Sequence, residues 1–188
     1  GLGAPAALYL AGAGVGELVI ADADRVEVTN LHRQVLHSES RVGWNKAESA
    51  AATLDQLNSE VRVAPVAHRL EGEALEAAVA EADLVVDASD NFATRYGANS
   101  ACLRAATPLV SGAVIRMEGQ VMVLPFDRTD PGPCYRCTYR EPPDTGETER
   151  CSVTGVLGPA AGMIGTTLAA EAVKRLAGID EGLAGRLL

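Results

Sequence analysis

Apolar and polar positions along this chain change period about every ten residues. LGAPAALYLAGA reads as a helix start and body over Gly1–Ala13, with Pro5 near the first turn, where proline is tolerated. Gly12, Gly14 and Gly16 end it, and Glu17–Asp22 follows as a short buried strand. KAESAAATLDQLN predicts an amphipathic helix over Lys46–Asn58, then a strand over Val61–Val66 and a helix over Gly72–Glu81. LVVDA predicts a strand over Leu84–Ala88, FATRYGANSACLRAA a helix over Phe92–Ala106, and PLVSGAV a strand over Pro108–Val114. MEGQVMVLPF alternates over Met117–Phe126, as a half-buried strand does. Asp127–Glu149 is polar and rich in proline, and reads as a loop excursion; Pro159–Gly178 is the last helix.

Strands that alternate with helices predict an α/β fold: a Rossmann-like, doubly wound, mostly parallel sheet with helices on both faces. The 188 residues suffice for one domain, 1–188, with the cysteine-containing excursion at about 127–150 inside it. A net charge of −9 argues against a general nucleic-acid or anionic-membrane surface, though not against a local cationic pocket. The most hydrophobic helix, Pro159–Gly178, contains Glu171, Lys174 and Arg175, so no membrane span is expected. No secretory leader is visible, and a single C-x-x-C suggests a reducing, cytoplasmic compartment. With no initiator methionine and a glycine motif at its first residue, the chain reads as a fragment lacking both termini.

Ligands of such sheets bind at the carboxyl ends of strands, and Asp22 and Asp90 both fall there. The segment DADRVEVTNLHRQVLHSESRVGWNK, Asp22–Lys46, then sets Asn30, Arg33, Gln34 and Lys46 after the first carboxylate. A carboxylate can bind ribose hydroxyls, while an amide, a guanidinium and an ammonium can grip phosphates. Gly1 and Gly3 open a helix whose N-terminus could approach phosphate, and Asp22 lies 19 residues after Gly3, near the usual glycine-to-acid interval. Gly12–Gly16 is in the wrong order for phosphate binding and is read as a helix cap and turn. There is no P-loop, so charge for a triphosphate must come from Arg33 and Lys46. Lysine is rare (Lys46 and Lys174 only), which singles out Lys46. Asp90 could hold Mg²⁺ or cap the following helix, as could Asn91; Arg95 is read as a partner for a carboxylate.

Together GLG, DADRVEVTNLHRQVLH, VGWNKAESA, DLVVDASDNFATRY, PLVSGAVIRMEGQV, CYRC and CSVTGVLGPAAGMIGTTLAAEAVKRLAG resemble the ThiF/MoeB/HesA family, bacterial relatives of ubiquitin-activating enzymes. The resemblance implies an ATP-dependent adenylyltransferase that activates the C-terminal glycine carboxylate of a ubiquitin-like sulfur-carrier protein. It further implies pyrophosphate release, a homodimer, and service to molybdopterin, thiamine or thiolated-tRNA biosynthesis. It puts Gly1, Gly3 and Asp22 at the nucleotide, Asn30, Arg33, Gln34 and Lys46 near the phosphates, Asp90 at Mg²⁺ and Asn91 beside it. The family's upstream strand, its first loop glycines and an arginine that reaches the partner subunit are absent from this sequence.

Cys134 and Cys137, in C-Y-R-C, look like half of a Cys₄ zinc site, and the resemblance places a second pair beyond residue 188. Their expected position in a loop after a strand, away from a helix N-terminus, argues against redox chemistry. By the resemblance, Cys151 is a candidate for covalent linkage to the carrier; Arg150 would favour its thiolate, while Glu147 and Glu149 oppose it. Cys102 reads as an inert core thiol. Two rival readings stand beside adenylation. An NAD-dependent oxidoreductase would use Asp22 and the glycines but has no visible hydride-transfer site. A catalytically silent scaffold subunit would have no need of Arg33, Lys46 and Asp90 together.

Overall fold

The computed structural model describes residues 1–126, 132–140, 155–179 and 182–188. The chain begins with helix α1 (Gly3–Gly12), strand β1 (Glu17–Ala21), helix α2 (Lys46–Leu57) and strand β2 (Arg62–Val66). Helix α3 (Gly72–Glu81), strand β3 (Val85–Asp87), helix α4 (Phe92–Ala105) and strands β4 (Leu109–Ile115) and β5 (Glu118–Leu124) follow. A one-turn helix, α5 (Tyr135–Thr138), and the long helix α6 (Gly158–Leu176) complete the elements. Each predicted helix and strand is present, with ends shifted by a residue or two.

The strands form two ladders. β1 pairs parallel with β2, while β3 pairs parallel with β4, which pairs antiparallel with β5. The β4–β5 turn is tight, running Ile115 opposite Glu118 with Arg116 at φ 55. Among the described residues no strand joins β1 to β3.

Period-two alternation gives β4 and β5 two apolar faces. Val110, Val121 and Val123 point into one core with Leu2, Leu10 and Leu168 of α1 and α6. Leu109, Met122 and Leu124 point into another with Val79, Tyr96 and Cys102 of α3 and α4. Helices thus cover both faces of this ladder. The β1–β2 ladder packs Leu18, Ile20 and Val63 toward Leu36, Ala50 and Leu54, but its outer face is open, with Val19 57% exposed.

Local signals explain the helix ends. The Asn45 side chain accepts from the Ala47 and Glu48 amides and starts α2; the Asn91 side chain accepts from Thr94 and starts α4. Gly14, at φ 80, ends α1, and the Val15 amide turns back to the Leu10 carbonyl, as expected for a cap and turn. Small residues of α6 allow close approach to the start of the chain. A Cβ at position 165 would stand 2.4 Å from the Leu2 carbonyl oxygen, and one at 158 would stand 2.4 Å from that of His32. The small-residue pattern of this helix is therefore explained by packing.

Candidate functional site

The Asp22–Lys46 arm leaves β1 and returns to within bonding distance of its own start. The Asp22 amide still donates to Val66 across the ladder, and its Oδ1 accepts the Asp24 amide at 2.9 Å. The return is fastened by Asn45, whose Nδ2 donates to the Asp22 carbonyl at 2.8 Å and the Asp24 carbonyl at 3.2 Å. Because the Oδ1 of Asn45 also caps α2, one buried amide fixes both the helix and the strand end. Lys46, the first residue of α2, lies alongside: its amide donates to the Asp24 carbonyl and its Nζ pairs with Asp24 Oδ2 at 2.8 Å. Only 10% of the Lys46 side chain is exposed, against 69% for Asp24. The lysine stem is therefore held by the fold, while its counter-ion is free to swing away.

Midway along the arm, Arg33 Nη2 donates to Asn30 Oδ1 at 2.8 Å, and Nη1 lies 2.8 Å from His32 Nε2 and 3.4 Å from the Thr29 carbonyl. Asn30 thus orients the guanidinium. Gln34 is buried, and its Oε1 has no partner among the described residues. Behind Lys46, His37 Nδ1 meets Ser49 Oγ at 2.9 Å. Burial, with the charges of Lys46 and Arg41, lowers its pKa to about 4, so at neutral pH it adds no positive charge of its own.

The opposite side of the site is the short β3–α4 connection. Buried Asp87 accepts the Ser89 amide at 3.0 Å and the Ser89 hydroxyl at 2.6 Å through Oδ1, and the Ser111 hydroxyl at 2.8 Å through Oδ2. Arg95 Nη2 donates to the Ser89 carbonyl at 2.8 Å. Arg95 was expected to pair with a carboxylate; among the described residues it has no ion pair and serves this backbone oxygen. Asn91, not Asp90, caps the helix, which leaves the exposed Asp90 carboxylate available to a ligand.

The two sides meet at the first residues of α1. Arg33, Lys46, Asp90 and Asp22 all lie near the backbone of Gly1. A Cβ on Gly1 would lie 3.6 Å from Arg33 Cδ, and one on Gly3 would lie 3.5 Å from Ala88 Cβ. Among the described residues no side chain caps α1, and its first backbone N–H groups and the positive end of its dipole suit an acceptor. Burial raises the pKa of Asp22, opposed by the Asp24 amide and by Lys46. Gly1, Gly3, Asp22, Asn30, Arg33, Gln34, Lys46, Asp90 and Asn91 thus lie on the segments that converge on one end of the fold. Asn45, Asp87 and Arg95, which hold the others in place, were not chosen from the sequence as site residues. An Asn before a helix-forming run was a legible cap signal; the two buried charges gave no local signal.

The described cysteines, Cys102, Cys134 and Cys137, make none of these contacts. Cys134 and Cys137 have sulfurs 3.6 Å apart, and the Cys134 amide donates to Cys137 Sγ at 3.3 Å. The expectation that the pair lies away from a helix N-terminus is corrected: Cys134 is the N-cap of α5, and its amide and side chain lower the Cys137 pKa. The turn is helical because Tyr135 anchors it, with its amide on Asn99 Oδ1 at 2.8 Å and its ring edge-on to Tyr96. Two sulfurs on a tetrahedral zinc, each about 2.3 Å from the metal, stand about 3.8 Å apart, close to the observed spacing. The pair fits two ligands of a zinc site, but no group of three or more metal ligands occurs among the described residues. Cys102 is fully buried and its pKa is pushed up to about 12, as an inert thiol's should be. Cys151 lies outside the described residues. No helix among the described residues is long and apolar enough to cross a membrane.

The ThiF family pattern matches residues 1–188. The chain is 50% identical to the SAMP-activating enzyme E1 of Haloferax volcanii, over all of this chain and 68% of that protein. It is 47% identical to the adenylyltransferase and sulfurtransferase MOCS3 of Culex quinquefasciatus, over all of this chain and 42% of that protein. Among solved structures, E. coli MccB with ATP superposes at a TM-score of 0.80 with 29% identity, covering 98% of this chain and 55% of MccB. The chain therefore spans from under half to about two thirds of the length of these relatives.

Proposed function

The chain belongs to the ThiF family, and on that premise we propose that it is the ATP-binding part of an adenylyltransferase. Its substrate is the C-terminal glycine carboxylate of a ubiquitin-like sulfur-carrier protein, its products an acyl-adenylate and pyrophosphate. The observation that carries this reading is the convergence of Arg33, Lys46, Asp22 and Asp90 on the start of α1. The names of the relatives, an activating enzyme and an adenylyltransferase, point the same way.

The chemistry follows from charge. A carboxylate that attacks the α-phosphorus approaches an anion, and the departing pyrophosphate accumulates negative charge. Arg33 and Lys46, with the α1 N–H groups, offset both. Asp24 releases Lys46 when phosphate arrives, since the lysine is fixed and the aspartate exposed. Asp22 accepts from the ribose hydroxyls, its carboxylate being oriented by the Asp24 amide on Oδ1. The carboxylate nucleophile is already ionised at neutral pH, so no general base is required. Asp90 would hold Mg²⁺ together with substrate phosphates, as one or two carboxylates commonly do; the ion would neutralise phosphate charge. Cys134 and Cys137 would supply half of a structural Zn²⁺ site.

The homodimer belongs to the same proposal. Ile115, Met117, Leu157 and Met163 form an exposed apolar rim at the β4–β5 turn and the start of α6, suited to a second copy. A cytoplasmic location agrees with the unpaired Cys102, Cys134 and Cys137. Exchange of labelled pyrophosphate into ATP, dependent on a carrier protein ending in glycine, tests the activity. The whole protein should exchange with at least one carrier of its host and fail with a carrier lacking the terminal glycine. Absence of exchange with every carrier would sink the reading.

A further inference from the structure

Ser89 is held at every polar group it has. Asp87 takes its amide and hydroxyl, and Arg95 takes its carbonyl. Both clamps are buried, Arg95 being 9% exposed and Asp87 5%. The next residue, Asp90, is exposed and makes no side-chain bond of its own among the described residues, so its direction is inherited from the peptide before it.

Arg95 is an odd residue to bury for this purpose. Its Nε has no hydrogen-bond partner and it has no carboxylate partner among the described residues. A guanidinium removed from water without a counter-ion is costly. A neutral side chain filling the same space would stabilise the fold more, so a packing role alone does not account for it. The guanidinium lies near the Phe92 ring, 5.8 Å from its centroid, and by hydrogen bonding and charge it opposes the rise that burial gives the Tyr135 pKa. Arg95 therefore sits between the cysteine-bearing turn and the loop carrying Asp90.

We propose that Arg95 is a positioning residue for the adenylation reaction: by holding the Ser89 carbonyl it fixes the direction in which Asp90 presents its carboxylate. The inference rests on the adenylation reading and adds a residue to it. Arg95 touches no reacting atom; it acts through Asp90. Displacement of a catalytic group by about 1 Å can lower a rate by roughly 100-fold.

The test is a double-mutant cycle in the whole protein, read by carrier-dependent ATP–pyrophosphate exchange across a Mg²⁺ titration. Arg95→Met should lower kcat at least about 10-fold and raise the Mg²⁺ concentration for half-maximal exchange several-fold, with the KM for carrier unchanged. Arg95→Lys, which can still donate to the Ser89 carbonyl, should recover most of both losses and guards against a folding failure in the methionine variant. In an Asp90→Asn background Arg95→Met should add little, because the residue it acts through is gone. Full additivity of the two substitutions, or an unchanged Mg²⁺ dependence in both Arg95 variants, overturns the inference while leaving adenylation standing. Absence of exchange in the unaltered protein overturns both.

Discussion

The two sides of the site are built by opposite means. The Asp22–Lys46 arm is long, largely exposed and irregular, and is closed by backbone hydrogen bonds and one side-chain amide, Asn45. The Ser89–Asp90 connection is short and is closed by two buried charged side chains, Asp87 and Arg95. On the arm, Arg33 is oriented by Asn30 three residues away, whereas Lys46 is held against Asp24 from 22 residues away. The short loop carries one exposed carboxylate, and everything that orients it comes from a strand below and a helix beyond. A site can thus be closed across a long span of chain on one side and by buried charges within a few residues on the other. The two sides should fail differently when altered.

The largest expected loss is on the arm. Lys46→Ala should cut carrier-dependent exchange by roughly 100- to 1,000-fold, as loss of one preorganised charge at a transition state does. Thermal stability should barely move, since the Asp24 partner is exposed and surface ion pairs contribute little. Exchange near the unaltered rate would show that this lysine is outside the site.

Next comes the amide that closes the arm. Asn45→Ala should destabilise by about 1–2 kcal/mol, as lost caps do, and should also impair exchange. Asn45→Asp separates the two jobs. Its carboxylate restores the cap, but it cannot donate to the Asp22 and Asp24 carbonyls, so chemical denaturation should recover while exchange stays low. Recovery of both would mean that the cap alone matters.

An effect of similar size on stability, with less effect on exchange, is expected where α1 leans on α6. Gly165→Ala would push a methyl into the Leu2 carbonyl and the Pro5 ring and should cost about 1–3 kcal/mol in urea melts. Gly162→Ala, which meets nothing within 4 Å, is the control and should be neutral or slightly stabilising.

The smallest is a pH effect behind the arm. The folded-state pKa of His37 is lowered to about 4 from the ordinary value of 6.5, so the unfolded chain binds the extra proton between these values. Its contribution to stability is complete above about 6.5 and declines as pH falls toward 4. Melting temperatures should therefore fall over that window, and His37→Gln should flatten the slope. An equal slope in the variant would assign the effect to other groups.

Much of this was legible in the residues themselves. The element order followed from period and glycine punctuation, because helices and strands have fixed side-chain repeats that a linear pattern displays. The arm's ligands were legible because Asp22, Asn30, Arg33, Gln34 and Lys46 are gathered in one segment with no apolar reason to be there. Cys102 inside an apolar helix declared its burial for the same reason. The helix N-terminus at Cys134 was missed, because a single turn has no period to detect and is stabilised by Asn99, 36 residues away from Tyr135.

What the sequence by itself determined was the alternating fold, the arm and its charges, since these depend on neighbours in the chain. Tertiary structure alone decided that Asn91 and not Asp90 caps α4, and that Arg95 serves a carbonyl. Those outcomes depend on which atoms meet after folding. A buried arginine and an exposed one are the same letter, and only the packing of α4 between its neighbours decides which of the two Arg95 becomes.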